Sequence, residues 1–234
     1  VSSKASTSSK ASTDGGPHPP DELAQLPHGR HGLPAEFVDH NQRERLIASF
    51  TALVGEVGYS GATITAVTEG AGVSSRTFYK FFETVEDCCL AAFDKGVADL
   101  RPLVVEAYRS EDEWPLRVAA ALAAAVGEFD ELPDLARLLT TEPFVAGPLI
   151  ATRHKAVLEE LVPFLREGRV LREGVEPLPE TTEKGLLGAV NSMISRHVAG
   201  ASKPDLSALL PDLVQFVLTP YLGPAEARRI AVSG

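Results

Sequence analysis

Apolar residues recur at three- and four-residue steps along nearly the whole chain from Glu36 onward. Leu46, Ile47, Phe50, Leu53, Val54 and Val57 predict a long first helix, which Gly58 ends as a C-terminal cap. A short second helix is expected over about 64–71 with Thr63 as its N-cap, and Gly72 turns the chain. Ser74 caps a third helix over about 75–82. Thr84 caps a fourth, which places Glu86 and Asp87 in a first turn that favours negative charge and extends to about Tyr108. Further helices are expected over about 112–128, 134–141, 148–167, 180–200 and 205–221. Pro133, Pro143, Gly147-Pro148, Gly168, Pro177, Pro179 and Pro204 punctuate them. No run alternates as a strand does, and no segment recurs with the period of a repeat protein. The pattern predicts an all-α fold of about nine helices.

Residues 1–35 break this pattern and read as a disordered arm. The stretch from Ser2 to Lys10 is a Ser/Ala/Thr/Lys near-repeat, and Pro17, Pro19, Pro20, Pro27 and Pro34 follow it. Such a segment buries too little apolar area to offset its ordering entropy. His18, His28 and His31 fall here with no cysteine or carboxylate cluster beside them, so a metal site is not expected.

Residues 63–82 carry the functional signal. They form a short helix, a glycine turn and a second short helix, the layout of a helix-turn-helix. Ile64, Val67 and Val73 can pack the two helices together, and Phe78 and Phe82 point to the core. Arg76, Tyr79 and Lys80 share another face beside Ser75. That polar, cationic face suits the major groove, and Ser74 at the helix start suits a phosphate. Thr63 and Thr65 are open to two readings, capping and phosphate contact. Arg43 and Arg45 read as surface charge, with contact to the DNA backbone as the alternative.

This block, with the helices on either side, resembles the DNA-binding domain of the TetR family of bacterial transcriptional regulators. The matching residues are Gly58-Tyr59, Thr63-Ile64, Val67, Ala71-Gly72-Val73-Ser74, Arg76-Thr77-Phe78-Tyr79 and Phe82. The resemblance covers residues 38–95. It departs from the family at Phe81, where His is usual, at Val85, where a phosphate-contacting Lys is common, and at Thr68, where Ala is usual. The resemblance implies a DNA interface of Thr63, Thr65, Ser74, Ser75, Arg76, Thr77, Tyr79 and Lys80 over residues 36–83. It also implies an effector-binding and dimerisation domain over residues 84–234.

That second region offers one argument of its own for a dimer. Gly185, Gly188, Ala189 and Ser192 form a stripe of small residues on the helix 180–200, which invites close approach of another helix. The last helix is apolar on several faces, and Leu209, Leu213 and Phe216 are expected to join the same interface. For the effector pocket, Tyr108, Trp114, Phe129, Phe144, Phe164, Met193 and His197 are candidates on or near the middle helices, with Arg137, Asn191 and His197 to orient a polar group of the ligand. The alanines from Ala119 to Ala125 either leave room for a cavity or permit tight packing. Adjacent Cys88 and Cys89 project about 100° apart on a helix and are expected as buried thiols, not a bridge.

Charge and composition narrow the function. The chain has 234 residues, 44% of them hydrophobic, and a net charge of −10. Residues 1–35 are balanced, with three basic and three acidic groups. Residues 36–83 carry four basic and six acidic groups, and residues 84–234 carry 15 and 23. DNA binding must therefore come from local placement of a few cations, not from bulk charge. No apolar run approaches the roughly 20 residues of a membrane span. The Ser/Thr/Lys-rich start has no apolar signal core, so a reducing cytoplasm is the expected compartment. No catalytic motif, phosphate loop or metal-spaced Cys/His set is present, so no catalytic residue, metal or cofactor is expected. The expected function is a dimeric repressor that binds a palindromic double-stranded DNA operator and is released by a small-molecule effector. The alternative is an all-α small-molecule binding protein with a vestigial helix-turn-helix.

Overall fold

The computed structural model describes residues 34–172, 174–200 and 205–233, so the N-terminal arm lies almost wholly outside the described residues. It holds ten α-helices and, among the described residues, no strand. The first four are α1 (Ala35–Val57), α2 (Ile64–Ala71), α3 (Ser75–Phe81) and α4 (Val85–Arg109). They are followed by α5 (Trp114–Glu131), α6 (Pro133–Thr140), α7 (Pro148–Arg166), α8 (Thr182–Gly200), α9 (Leu210–Leu222) and α10 (Pro224–Ser233). The tenth was not expected from the sequence: Gly223 at φ +80° breaks the chain after α9, and Ala227, Ile230 and Ala231 then bury one side of a new helix against it.

The caps follow the sequence closely. Thr63 accepts a hydrogen bond from Ala66 N at 3.2 Å, and Ser74 from Thr77 N at 3.1 Å. At α4, Thr84 Oγ1 accepts from Asp87 N at 3.1 Å while Asp87 accepts from Thr84 N at 2.9 Å, a reciprocal capping box. Gly72 sits at φ +61°, in the left-handed region that a Cβ would penalise. It stops α2 and aims α3 at an angle to it.

α1, α2 and α3 form a small head around Leu46, Phe50, Val67, Ala71 and Phe78, all fully buried. Arg45, expected at the surface, is also buried in this head. Its guanidinium donates to Ala71 O, one of the carbonyls that the end of α2 leaves without a helical partner. The head joins the body through α1, which packs on both α4 and α6. In the body, α5 crosses α4, α8 packs on α6 and α7, and α9 lies between α5 and α10. Cys88 and Cys89 are buried, as expected. Burial pushes both thiols up, that of Cys89 to about 12, so neither is a reactive thiolate.

Candidate nucleic-acid interface and ligand cavity

The head presents one polar face. Thr63, Thr65, Ser74, Ser75, Arg76, Tyr79 and Lys80 are exposed there, and Thr77 is half-buried. Caps and turn bring them together: Thr63 and Thr65 sit at the start of α2, Ser74 to Thr77 at the start of α3. The hydroxyls of Ser74 and Thr77 lie 3.0 Å apart, so both are engaged in the cap and leave the first α3 amides pointing outward. Tyr79 is 60% exposed, with its ring held edge-on to buried Phe78 at 5.8 Å, so the core sets the direction of its hydroxyl. Lys80 lies over the Phe81 ring and pairs with Asp39 of α1. Arg43 stacks over Phe82 at 5.6 Å. Phe81 thus supports the lysine, and Thr68 bonds back to Ile64 O at 2.9 Å inside α2.

The body holds a cavity of about 300 Å³ between α4, α5, α7 and α8. One wall is a stripe of α4: Phe93, Val97, Leu100, Val104 and Tyr108. Ala121, Leu122, Ala125 and Phe129 of α5 face it, so the alanine run does leave room. Val157, Leu158, Leu161 and Phe164 of α7 and Leu187, Val190 and Ile194 of α8 complete an almost wholly apolar lining. A neutral polar cluster interrupts it where Thr140, His154 and Asn191 meet. His154 Nε2 lies 3.2 Å from Asn191 Oδ1, and Asn191 Nδ2 donates to Thr140 O at 3.4 Å. Burial holds His154 below its ordinary value, although the Asn191 hydrogen bond opposes this, so the ring is neutral near pH 7. Arg101 and Glu160, both half-exposed, pair at 2.5 Å on the solvent side.

The sequence candidates for this pocket separate. Tyr108, Phe129, Phe164 and Asn191 stand in the cavity wall. Trp114 lies beyond the wall, donates to Phe164 O at 2.8 Å and meets the Tyr221 ring edge-on. Phe144 is 68% exposed and touches the cavity only through the ring of His154. Met193 is half-buried outside the wall, and His197 is exposed, bonding to Met193 O at 3.0 Å. Arg137 sits at the junction of head and body. It donates to Glu142 at 2.8 Å and to Gly55 O of α1 at 3.3 Å, while Glu142, only 2% exposed, accepts from Tyr59 N at 3.0 Å. Apart from Tyr108 and Phe164, the α4 and α7 linings were not singled out in the sequence, because an apolar helical stripe reads the same whether it meets a core or a cavity.

The small-residue stripe of α8 faces outward: Gly185, Gly188 and Ser192 are exposed and Ala189 is half-buried. A Cβ added at Gly185 or Gly188 would meet nothing within 4 Å. On α9, Phe216 is exposed, whereas Leu213, like Leu209 just before α9, is buried inside the subunit. Among the described residues no group of His, Cys, Asp and Glu is arranged to hold a metal, and no helix is long and apolar enough to cross a membrane.

No family model matches the chain. A curated relative, an uncharacterised helix-turn-helix-type transcriptional regulator of Lactococcus lactis subsp. lactis, is 26% identical over 76 residues. The match spans 32% of this chain and 39% of that protein's length. The fold as a whole is that of TetR-like regulators. The fatty acid degradation regulator FadR from Bacillus halodurans aligns with a TM-score of 0.65 at 19% identity, over 75% of this chain and 97% of that one. FadR from Bacillus subtilis, solved in complex with stearoyl-CoA, aligns at 0.62 and 16% identity, over 77% and 98%. A TetR family transcription regulator from Marinobacter aquaeolei VT8 aligns at 0.60 and 16% identity, over 85% and 97%.

Proposed function

We propose that this chain is a TetR-family transcriptional regulator, a homodimer that binds a palindromic operator and is released from it by a small apolar effector. The observation that carries the reading is the joint presence of the α3 face and the cavity in one fold, with α6 lining the cavity and packing on α1. The head, residues 36–83, would meet DNA through Thr63, Thr65, Ser74, Ser75, Arg76, Thr77, Tyr79 and Lys80. The body, residues 84–234, would bind effector and dimerise. An α3 helix seven residues long is too short to bind alone, so two copies reading half-sites one turn apart supply the affinity. For the second copy, the exposed stripe of α8 and Phe216 offer a surface that the subunit itself leaves uncovered.

Coupling follows from the junction. Leu139 and Thr140 of α6 line the cavity, and one turn earlier Arg137 holds Gly55 O of the head. An effector that moves α6 or α4 shifts α1 and alters the separation of the two α3 helices. DNA accepts only separations near one helical turn, about 34 Å, or its multiples. By linkage, DNA must weaken effector binding by the same factor with which effector weakens DNA binding. The apolar lining supports a hydrocarbon-rich effector, a property it shares with the stearoyl-CoA found in the B. subtilis FadR structure.

The test is selection of the full chain against a pool of random duplex DNA at about 0.15 M salt, where nonspecific binding is screened. An enriched inverted repeat is expected. Arg76→Ala and Lys80→Ala are each expected to weaken binding to it about tenfold or more, with the fold intact. Failure of the refolded, ligand-stripped protein to enrich any sequence would favour a binding protein whose helix-turn-helix no longer reads DNA.

A further inference from the structure

The cavity approaches solvent along the seam between α4 and α7. Among the described residues that line it, Arg101 and Glu160 have about half of their side chains in solvent, and the rest are more deeply buried. The two pair at 2.5 Å across the seam. Glu160 also lies 3.7 Å from Arg153, and Arg153 donates to Asp94 at 2.6 Å. Asp94 and Arg101 are seven residues apart on α4, as are Arg153 and Glu160 on α7, so each pair spans about two turns and returns to one side of its helix. The charges along the seam thus run Asp94, Arg153, Glu160, Arg101, alternate in sign and cancel.

Behind this row the lining is apolar, with Leu100, Val104 and Val105 of α4 and Leu158 and Leu161 of α7. At the inner end His154, Asn191 and Thr140 are engaged with one another, and burial keeps His154 neutral near pH 7. An anionic head that reached Arg101 would have to displace Glu160, and would leave three negative groups against two guanidiniums. A cationic head meets the mirror image, because it must displace Arg101 from Glu160. A head drawn further in loses its hydration and finds no counter-charge in the wall. An uncharged molecule meets neither obstacle. A half-exposed ion pair is weak enough to part as such a molecule passes and to close behind it.

Resting on the effector-site reading above, we propose that the cavity encloses an uncharged, hydrocarbon-rich molecule whole, admits it through the seam at Arg101 and Glu160, and refuses a chain that carries an ionised head.

Calorimetric titration of the full chain near pH 7.5 tests this with four probes that share a ten-carbon chain: 1-decanol, decanoate, decylammonium and decanoyl-CoA. Decanol is expected to bind about tenfold or more tighter than each of the other three. Glu160→Gln removes one negative charge from the row. It is expected to tighten decanoate and to weaken decylammonium, each by about threefold or more relative to decanol. A charged probe that binds as tightly as decanol would overturn the proposal and leave the effector site standing, because its chain would lie in the cavity with the head in water. Ratios that do not move in Glu160→Gln would overturn it as well, since the row of charges would then not set the preference. If none of the four binds while the protein still selects an operator, the effector-site reading itself fails, and the charge preference with it.

Discussion

At the scale of single residues, the charges that matter are those whose partners the fold chooses. Lys80, which we propose meets DNA on α3, is held in the free chain by Asp39 of α1. A carboxylate beside a phosphate-seeking cation competes with the phosphate. Asp39→Asn is therefore expected to raise affinity for DNA several-fold and to steepen its salt dependence by about one counterion, read from binding isotherms at several salt concentrations. Glu183 shows the opposite economy. It is fully buried at the start of α8 and takes both Arg169 donors, at 2.6 and 2.9 Å, with the Tyr221 hydroxyl at 3.3 Å. Burial pushes its carboxyl up, but the Arg169 hydrogen bonds outweigh this and hold it below the usual carboxylate value. A depressed folded value means that the stabilisation is fully present above the unfolded value and is lost as pH falls through the folded one. Glu183→Gln is expected to cost about 2 kcal/mol at neutral pH, with the gap in Tm from the parent closing as pH falls below the ordinary carboxylate range.

At the scale of elements, two glycines in helix interiors carry opposite predictions. Helix propensity alone favours alanine over glycine by about 1 kcal/mol. At Gly188 an added Cβ meets nothing within the subunit, so Gly188→Ala is expected to stabilise the isolated subunit by about that amount. At Gly55 the same Cβ would fall 1.8 Å from the Asp134 carboxylate, where α1 crosses the first turn of α6. Gly55→Ala is thus expected to destabilise by about 1–3 kcal/mol in urea unfolding, despite its better propensity. The carbonyl of Gly55 also receives Arg137, so the same change should disturb the link between head and body. Nothing in the spacing of the sequence distinguishes these two glycines; only the neighbour across the gap does.

At the scale of the whole molecule, the question is what the outward face of α8 meets. If a second copy packs on Gly185, Gly188 and Ser192, Gly188→Arg is expected to convert the dimer to monomer in light scattering while the monomer keeps its Tm. A wild-type monomer at all concentrations would remove the dimer from the reading. Leu209 and Leu213, expected in that interface, already belong to the subunit's own core, because α10 and α5 flank α9 and consume its apolar faces. The tenth helix explains why a helix that reads as apolar all round need not meet a partner on every side.

The sequence by itself determined the first nine helices and the helix-turn-helix layout of the head. Caps, turn glycine and helical period are local, set by residues within four positions of each other, so Thr63, Gly72, Ser74 and Thr84 could be read without a fold. The clustering of Arg76, Tyr79 and Lys80 on one face of α3 was legible for the same reason. Tertiary structure alone decided the cavity, the burial of Arg45, the junction through Arg137 and Glu142, and the pairing of His154 with Asn191. Each of these depends on which helix lies across from which, over sequence separations such as the 83 residues between Tyr59 and Glu142. A helical apolar stripe states that something apolar must cover it. Whether that cover is a side chain, a second subunit or a ligand is set by packing, which a one-dimensional pattern does not contain.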